Sequence, residues 1–408
     1  MKILMITPYV TITSYPIFSR NKTGFGYMVY DIANAVGKKE HVEVLCTDSR
    51  GKDFIDDGVV YLARTICLFI KNIGCCLSIW ELRSFFRQYR MRKVSAIRVL
   101  YYWLMTGYLD YLLKRANYDI VHIHGCGFGT ELWMQVCKKN HIKYLITLHG
   151  LNSFSETVKL ESAGKQYERD FLQKAVKEGI PVTVISTGMK HLIEKTYKVQ
   201  ECDNVVVVCN SHSFKGGEGI NLNIRDYYGI PNNSKIVLYV GNISENKNQR
   251  QMIEVYSVLP EEIKKNTFVL FCGKFDHDNN LLNYIKQEEY GDHLILCGAI
   301  DKNEMVNYYL ASDAVVLLSY SEGFGLSLIE GMHFGLPCLL FEDMDAFEDI
   351  FNKDAVVAVD KRDNNRVAEK LIILLTQLWD KKKIVAYSHK FNSYTMANRY
   401  IEVYKKIK

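Results

Sequence analysis

Residues Ser319–Pro337 read SYSEGFGLSLIEGMHFGLP, and this stretch decides how the chain folds. It begins where an apolar run, Ala314 to Ser319 (AVVLLS), gives way to small and polar residues. Gly323 and Gly325 follow, and from Leu326 onward the apolar residues recur at helical spacing. Strand, glycine turn and helix, in that order, aim backbone N–H groups and the positive end of the helix dipole at an anion. Two carboxylates bracket the turn: Glu322 precedes it and Glu330 sits inside the helix. Helical side chains lean toward the N-terminus, so Glu330 is expected to point back at whatever the turn holds. Two acids at this spacing carry nothing alone, since an ordinary turn with surface acids has the same letters. In this setting they fit a phosphate under amides with a carboxylate accepting from hydroxyls, which is the chemistry of a nucleotide-sugar.

Outward from this stretch, short apolar runs alternate with helical patterns along most of the chain. Strands are expected at Ile3–Ile6, Val42–Cys46, Ile120–His124, Tyr144–Leu148, Thr183–Ile185 and Val205–Val208. A second series runs through Ile236–Val240, Thr267–Cys272, Leu294–Cys297, Ala314–Leu318, Cys338–Leu340 and Ala355–Val357. Continuous apolar strands separated by helices imply parallel sheets buried on both faces. The 408 residues exceed one ordinary core. The expectation is an α/β chain of two doubly wound, Rossmann-like domains, 1–203 and 204–388, with a terminal helical segment 389–408. Ligands of such sheets bind beyond the carboxyl ends of the strands, so the expected site is the cleft between the two domains.

Composition narrows the class. Hydrophobic residues make up 48% and charged residues 24%, a balance that fits a soluble globular protein. A net charge of +5 is too mild for a nucleic-acid binder. The opening MKILMITPYV lacks a long apolar leader and a cleavage site, and is expected to form the first buried strand. No run is long and apolar enough to span a membrane. Cys46, Cys209, Cys272 and Cys297 sit in apolar runs and read as buried free thiols. With no C-x-x-C or H-E-x-x-H, a metal site is not expected, and a reducing cytoplasm is the simplest compartment.

The spacing E-x7-E, Glu322 to Glu330, resembles the signature of the retaining family 4 glycosyltransferases, which have the GT-B fold. The resemblance implies transfer of a sugar from a UDP- or GDP-type nucleotide-sugar to a hydroxyl on a glycan or lipid-linked acceptor, with anomeric configuration retained and no cofactor. The expected setting is synthesis of a bacterial surface polysaccharide such as a capsule, exopolysaccharide or O-antigen. It also implies that residues 1–203 bind the acceptor and 204–388 the nucleotide-sugar donor, and that a terminal helix packs back on the first domain. By resemblance, Glu330 binds ribose hydroxyls. Glu322 and the amides of Phe324, Gly325 and Leu326 meet the sugar and diphosphate, and Gly298-Ala299-Ile300 meet the nucleobase. Val237–Gln249 looks like the family's second phosphate loop. Lys247 falls on the family's lysine, expected to stabilise the leaving diphosphate. After Gly241, the family's arginine is replaced by Asn242, which carries no charge. Lys274 on the next loop could substitute, a divalent metal could help, or chemistry could be slow or absent.

In the first half, Asp119-Ile-Val-His122-Ile-His124-Gly125 ends a strand at a glycine. His124 matches the family position that touches the donor sugar or its phosphate, while His122 reads as a packing residue. His149 repeats the arrangement on the next strand. Gly24-Phe25-Gly26 matches a glycine-rich loop facing the diphosphate and acceptor, where Phe25 either stacks on an acceptor sugar or plugs the core. Asn210 reads as a hinge or a contact. The segment 64–115 matches nothing in the family. It holds ten Lys or Arg against Glu81 and Asp110, with interleaved aromatics. That pattern fits an interface with anionic lipid, or helices with one core face and one solvated basic face. Two rival functions remain: a GT-B-type sugar-nucleotide epimerase, and a non-catalytic nucleotide-sugar-binding partner of an assembly.

Overall fold

The computed structural model describes residues 1–64 apart from 13, 16–17 and 19–22, then 72–75, 95–157 apart from 128, 162–214 apart from 213, 222–275, 280–287 and 290–407. The chain forms two compact units, Met1–Asn210 with Ser393–Lys408, and Ser211–Asn392.

The first unit is built on an eight-stranded sheet. In chain order its strands are β1 (Lys2–Thr7), β2 (His41–Arg50), β3 (Phe54–Asp56), β4 (Val59–Arg64), β5 (Ile120–His124), β6 (Lys143–Leu148), β7 (Val182–Val184) and β8 (Val205–Val207). They lie in the order β3-β4-β2-β1-β5-β6-β7-β8. Ile3, Leu4 and Met5 of the central β1 are fully buried, as a strand covered on both faces requires. All neighbours pair in parallel except β3, which runs antiparallel to β4. Asp57 (φ 48°) and Gly58 (φ 82°) turn that hairpin, both in the left-handed region that a two-residue turn of this kind needs. Sequence reading placed no strand between Cys46 and Ile120, although Asp-Gly between apolar runs is a hairpin signal.

The second unit holds a six-stranded sheet. Its strands are β9 (Lys235–Val240), β10 (Thr267–Cys272), β11 (Leu294–Gly298), β12 (Ala314–Leu317), β13 (Cys338–Phe341) and β14 (Val356–Val359), in the order β11-β10-β9-β12-β13-β14 and all parallel. The winding reverses between β9 and β12, and in the first sheet between β1 and β5. Reversal sends neighbouring connections to opposite faces and leaves a crevice at the carboxyl ends, where ligands of such sheets bind.

Two boundaries differ from the sequence reading. β8 pairs in parallel with β7, so the first unit runs to Asn210, where the sequence pointed to residue 203. The terminal helix begins at Ser393, after a short turn His389–Phe391 that belongs to the second unit. That helix packs within the first unit through fully buried Tyr400 and Tyr404, and the Tyr404 hydroxyl meets His122 Nδ1 at 2.7 Å. The described cysteines are free thiols; Cys46 and Cys272 are buried, whereas Cys209 and Cys297 are only half-buried. Among the described residues no helix is long and apolar enough to cross a membrane.

Candidate active site

In the second unit, the connections leaving β9 and β12 are tied together at the reversal. Asn246 does most of the tying. Its side-chain amide donates to the Ser321 carbonyl (2.9 Å), its side-chain oxygen accepts from the Ser321 amide (3.1 Å), and its carbonyl accepts from the Tyr320 amide (2.8 Å). Below it, the fully buried Tyr239 hydroxyl accepts from the Leu318 amide at 2.9 Å and donates to the Lys247 carbonyl. Fixed this way, the Lys247 ammonium forms an ion pair with Glu322 Oε2. Glu322 Oε1 accepts from the Gly325 amide at 3.3 Å.

Gly325 (φ 80°) then opens the helix Leu326–His333, and no side chain caps that helix. A left-handed residue is needed here, and a Cβ would meet Leu328 at 3.1 Å and Leu317 at 3.3 Å, so glycine is required on both counts. Phe324 is 1% exposed and packs edge-on against Phe391, so its ring is core and only its backbone can serve a ligand. Glu330 is oriented by Tyr309, whose hydroxyl donates to Oε2 at 2.7 Å. Burial, reinforced by the Glu330 charge, pushes the Tyr309 phenol far above its usual range and keeps it a donor.

The loops that follow β9, β10 and β11 line up along the same edge. Asn242 Oδ1 accepts from the Lys274 amide at 3.1 Å, and the Ile243 amide donates to the Lys274 carbonyl at 2.9 Å. Asn242 thus spends its side-chain oxygen on holding the β10 loop. Gly273 lies so close that an added Cβ would sit 2.0 Å from the Gly241 carbonyl oxygen, and its amide donates to the Gly298 carbonyl at 2.8 Å. Gly298 (φ 79°) ends β11 and turns the chain into exposed Ala299 and half-buried Ile300. Lys274 is exposed on this edge. Asp345, beyond β13, was not found in the sequence; burial and then the charges of Glu322 and Asp343 push its carboxyl up to about 6.

In the first unit, a cavity of about 420 Å³ opens at the carboxyl ends of β1, β5 and β6. His124 and His149 face each other there, Nδ1 to Nε2 at 3.1 Å. His122 is a packing residue, held between the Thr147 hydroxyl (2.6 Å) and Tyr404 (2.7 Å). All three rings are uncharged at neutral pH. Burial pulls His122 down to about 3 and His149 to about 4, and pulls His124 well below the usual imidazole range. Phe25 lines the cavity and meets His149 edge-on at 4.9 Å. Gly24-Phe25-Gly26, read in sequence as a loop before a helix, is instead the first turn of the helix Gly24–Gly37. Thr23 caps it by accepting from the Gly26 amide at 3.2 Å. A Cβ on Gly26 would sit 2.2 Å from the Thr11 hydroxyl, which explains that glycine. Asn210 is buried where the first unit ends. Glu168, from the helix Ser162–Glu178, also lines the cavity, and nothing in its local sequence marked it.

Among the described residues no group of three or more His, Cys, Asp or Glu is placed to hold a metal. Of the basic segment, 65–71 and 76–94 lie outside the described residues. In the helix Ala96–Ala116, Lys114 pairs with buried Asp110 at 2.7 Å, while Ile97 is 83% exposed.

Comparison with known proteins agrees with this geometry. Residues 23–211 match the family model "Glycosyltransferase Family 4", and residues 220–391 match "Glycosyl transferases group 1". A 41.2 kDa uncharacterised protein in the cps region of Klebsiella pneumoniae is 23% identical over 72% of this chain and 80% of its own length. The putative teichuronic acid biosynthesis glycosyltransferase TuaC of Bacillus subtilis is 24% identical over 62% of this chain, and the match spans only 60% of TuaC. Among solved structures, sucrose-phosphate synthase from Thermosynechococcus elongatus superposes with a TM-score of 0.72 at 16% identity, covering 99% of this chain and 98% of that one. HepE of Anabaena, in complex with UDP and glucose, gives 0.65 at 14% identity with full coverage of both chains. Two parallel-sheet units of this design define the GT-B fold. Taken with the two family matches, the chain is a glycosyltransferase of the family 4 type.

Proposed function

We propose that the protein transfers a sugar from a nucleotide diphosphate-sugar, of UDP or GDP type, to a hydroxyl acceptor with retention of anomeric configuration. The observation that carries this reading is the Lys247–Glu322 pair beside the uncapped, Gly325-opened helix. Lys247 and the amides of Phe324 and Leu326 supply positive charge to a departing diphosphate. Charge-assisted bonds of this kind contribute ~1.5–3 kcal/mol each. Glu330, steadied by Tyr309, accepts from the ribose hydroxyls. Gly298, Ala299 and Ile300 offer backbone groups to the base. In this reading no side chain acts as a covalent nucleophile. The acceptor attacks on the face the diphosphate leaves, and the phosphate takes its proton. The donor is its own activated group, so no separate cofactor or metal is assigned.

The acceptor is a glycan or a lipid-linked glycan in bacterial surface-polysaccharide synthesis. The cps-region and teichuronic-acid relatives support that setting. We assign the enzyme to the cytoplasmic side, with the basic aromatic segment 64–115, where Ile97 stands exposed, resting on anionic lipid and no nucleic acid as partner. A second reading, a non-catalytic nucleotide-sugar-binding partner, is favoured by one observation: Asn242 carries no charge and its oxygen is engaged with Lys274. Incubation with UDP- and GDP-sugars plus glycan acceptors, followed by proton NMR of the new anomeric signal, tests the proposal. A retained anomer supports it, an inverted anomer overturns the mechanism, and nucleotide binding without turnover favours the partner.

A further inference from the structure

The first-unit cavity holds polar atoms that the fold leaves without a hydrogen-bond partner. They are His124 Nε2, His149 Nδ1 and Glu168 Oε1, all buried. Glu168 is 4% exposed and His124 2%, so a built polar floor lies under the cavity. Tyr9, Phe25, Tyr102 and Trp133 supply flat apolar walls around it. Unpaired hydrogen-bonding groups facing aromatic rings are what a pyranose ring needs: hydroxyls on its rim for the polar atoms, C–H faces for the rings.

Charge narrows the ligand further. Among the described residues the cavity wall contains no Lys or Arg, and its only carboxylate is Glu168. Arg169 and Lys165, next along that helix, are drawn off to the Ser153 and Ser155 carbonyls at 2.6 Å each. The three histidines are uncharged. The helix Thr130–Lys139 brings its N-terminus to the wall, but Glu131 already occupies its first turn and the Gly127 amide donates to the Thr130 hydroxyl at 2.9 Å. An anion entering here would be desolvated beside a carboxyl group, with no cation on the cavity wall to meet it.

We propose that Glu168 is a specificity-determining residue that hydrogen-bonds a hydroxyl of an uncharged acceptor sugar and turns away acceptors bearing a carboxylate or phosphate at that position. This rests on the glycosyltransferase reading above, and it adds what that reading leaves open, the charge class of the acceptor ring. Burial, only partly offset by the Ser153 amide and hydroxyl and by Arg169 and Lys165, pushes the Glu168 carboxyl up to about 7, so near neutrality it both donates to and accepts from sugar hydroxyls.

The test is saturation-transfer NMR on the full chain with methyl glucoside, methyl galactoside, methyl glucuronide and glucose 6-phosphate, for wild type, Glu168→Gln and Glu168→Ala, with UDP and GDP as separate probes. The neutral glycosides should bind wild type at least tenfold more tightly than the two anions. Glu168→Gln, which keeps shape and hydrogen bonds, should narrow that ratio to threefold or less, and Glu168→Ala should weaken the neutral glycosides. Equal binding of neutral and anionic sugars to wild type overturns it, and this arm needs no variant to fold. An unchanged ratio in Glu168→Gln overturns it as well. Nucleotide binding with no glycoside binding sinks this inference and leaves the donor reading standing; loss of nucleotide binding too sinks both.

Discussion

Lys247 is half-exposed, and its pairing with Glu322 is the kind of contact that adds little to stability, about 0–1 kcal/mol. Its value on this account is to a leaving group. Lys247→Ala is therefore expected to cut donor turnover by roughly tenfold or more while the melting temperature stays within a degree or two, measured by nucleotide release and calorimetry on one preparation. Tyr309→Phe removes one hydrogen bond to a charged acceptor and leaves the ring's packing on Phe334 in place. Its expected mark is a donor KM raised by about tenfold with kcat little changed. Glu322 and Glu330 stand out in the sequence by their spacing about a glycine turn, and Lys247 by its match to the family's loop. Tyr309, Asn246 and Glu168 could not. Asn246 reaches Ser321 only because β9 and β12, far apart in sequence, are neighbours in the sheet, and Tyr309 reaches Glu330 from a separate helix, Met305–Ala311; no local pattern records either contact.

At the scale of elements, the strand-to-helix turns carry the site, and two glycines make them possible. Gly325→Ala puts a Cβ at φ 80° against Leu328, so a loss of about 1–2 kcal/mol and a fall of several degrees in the melting temperature are expected. Gly273→Ala is a sharper case, because its Cβ would collide with the backbone of Gly241 and no side chain can yield. The loops after β9 and β10 must part, and nucleotide affinity should fall more than stability does, read by titration calorimetry beside a thermal melt. Continuous apolar runs revealed the central strands, since burial on both faces leaves that mark. At the sheet edge, β3 was missed because it is only three residues long and partly buried, whereas β4 is six residues long and mostly buried, an apolar run the sequence reading passed over. The glycines of Gly24-Phe25-Gly26 read as a loop because glycine is a poor helix former; the Thr23 cap and the close Thr11 hydroxyl override that preference.

For the molecule as a whole, the first unit carries buried groups that oppose one another with pH. His122 and His149 have folded values depressed to about 3 and about 4, so the stability they contribute is present above pH 6.5 and is lost as pH falls toward those values. Glu168 has a raised folded value of about 7, so its contribution is present below pH 4.5 and is lost as pH rises through 7. Glu168→Gln should therefore gain stability relative to wild type as pH climbs from 4.5 to 7, by up to about 3 kcal/mol, in parallel melts across that window. A flat difference would mean that the carboxyl is not held in this environment. The two-domain architecture was legible from the paired series of apolar runs. The division at Asn210 was not, because β8 looks the same in sequence whichever sheet receives it.

The most direct measurement is a thermal-shift panel of UDP, GDP, ADP, CMP and their common sugar conjugates against wild type and Glu330→Ala. Wild type should show a clear upward shift with one nucleoside diphosphate and its sugar conjugate, and Glu330→Ala should lose that shift. No shift with any of them, or a shift that survives in Glu330→Ala, would contradict the assignment of the Glu322–Glu330 turn as the donor site.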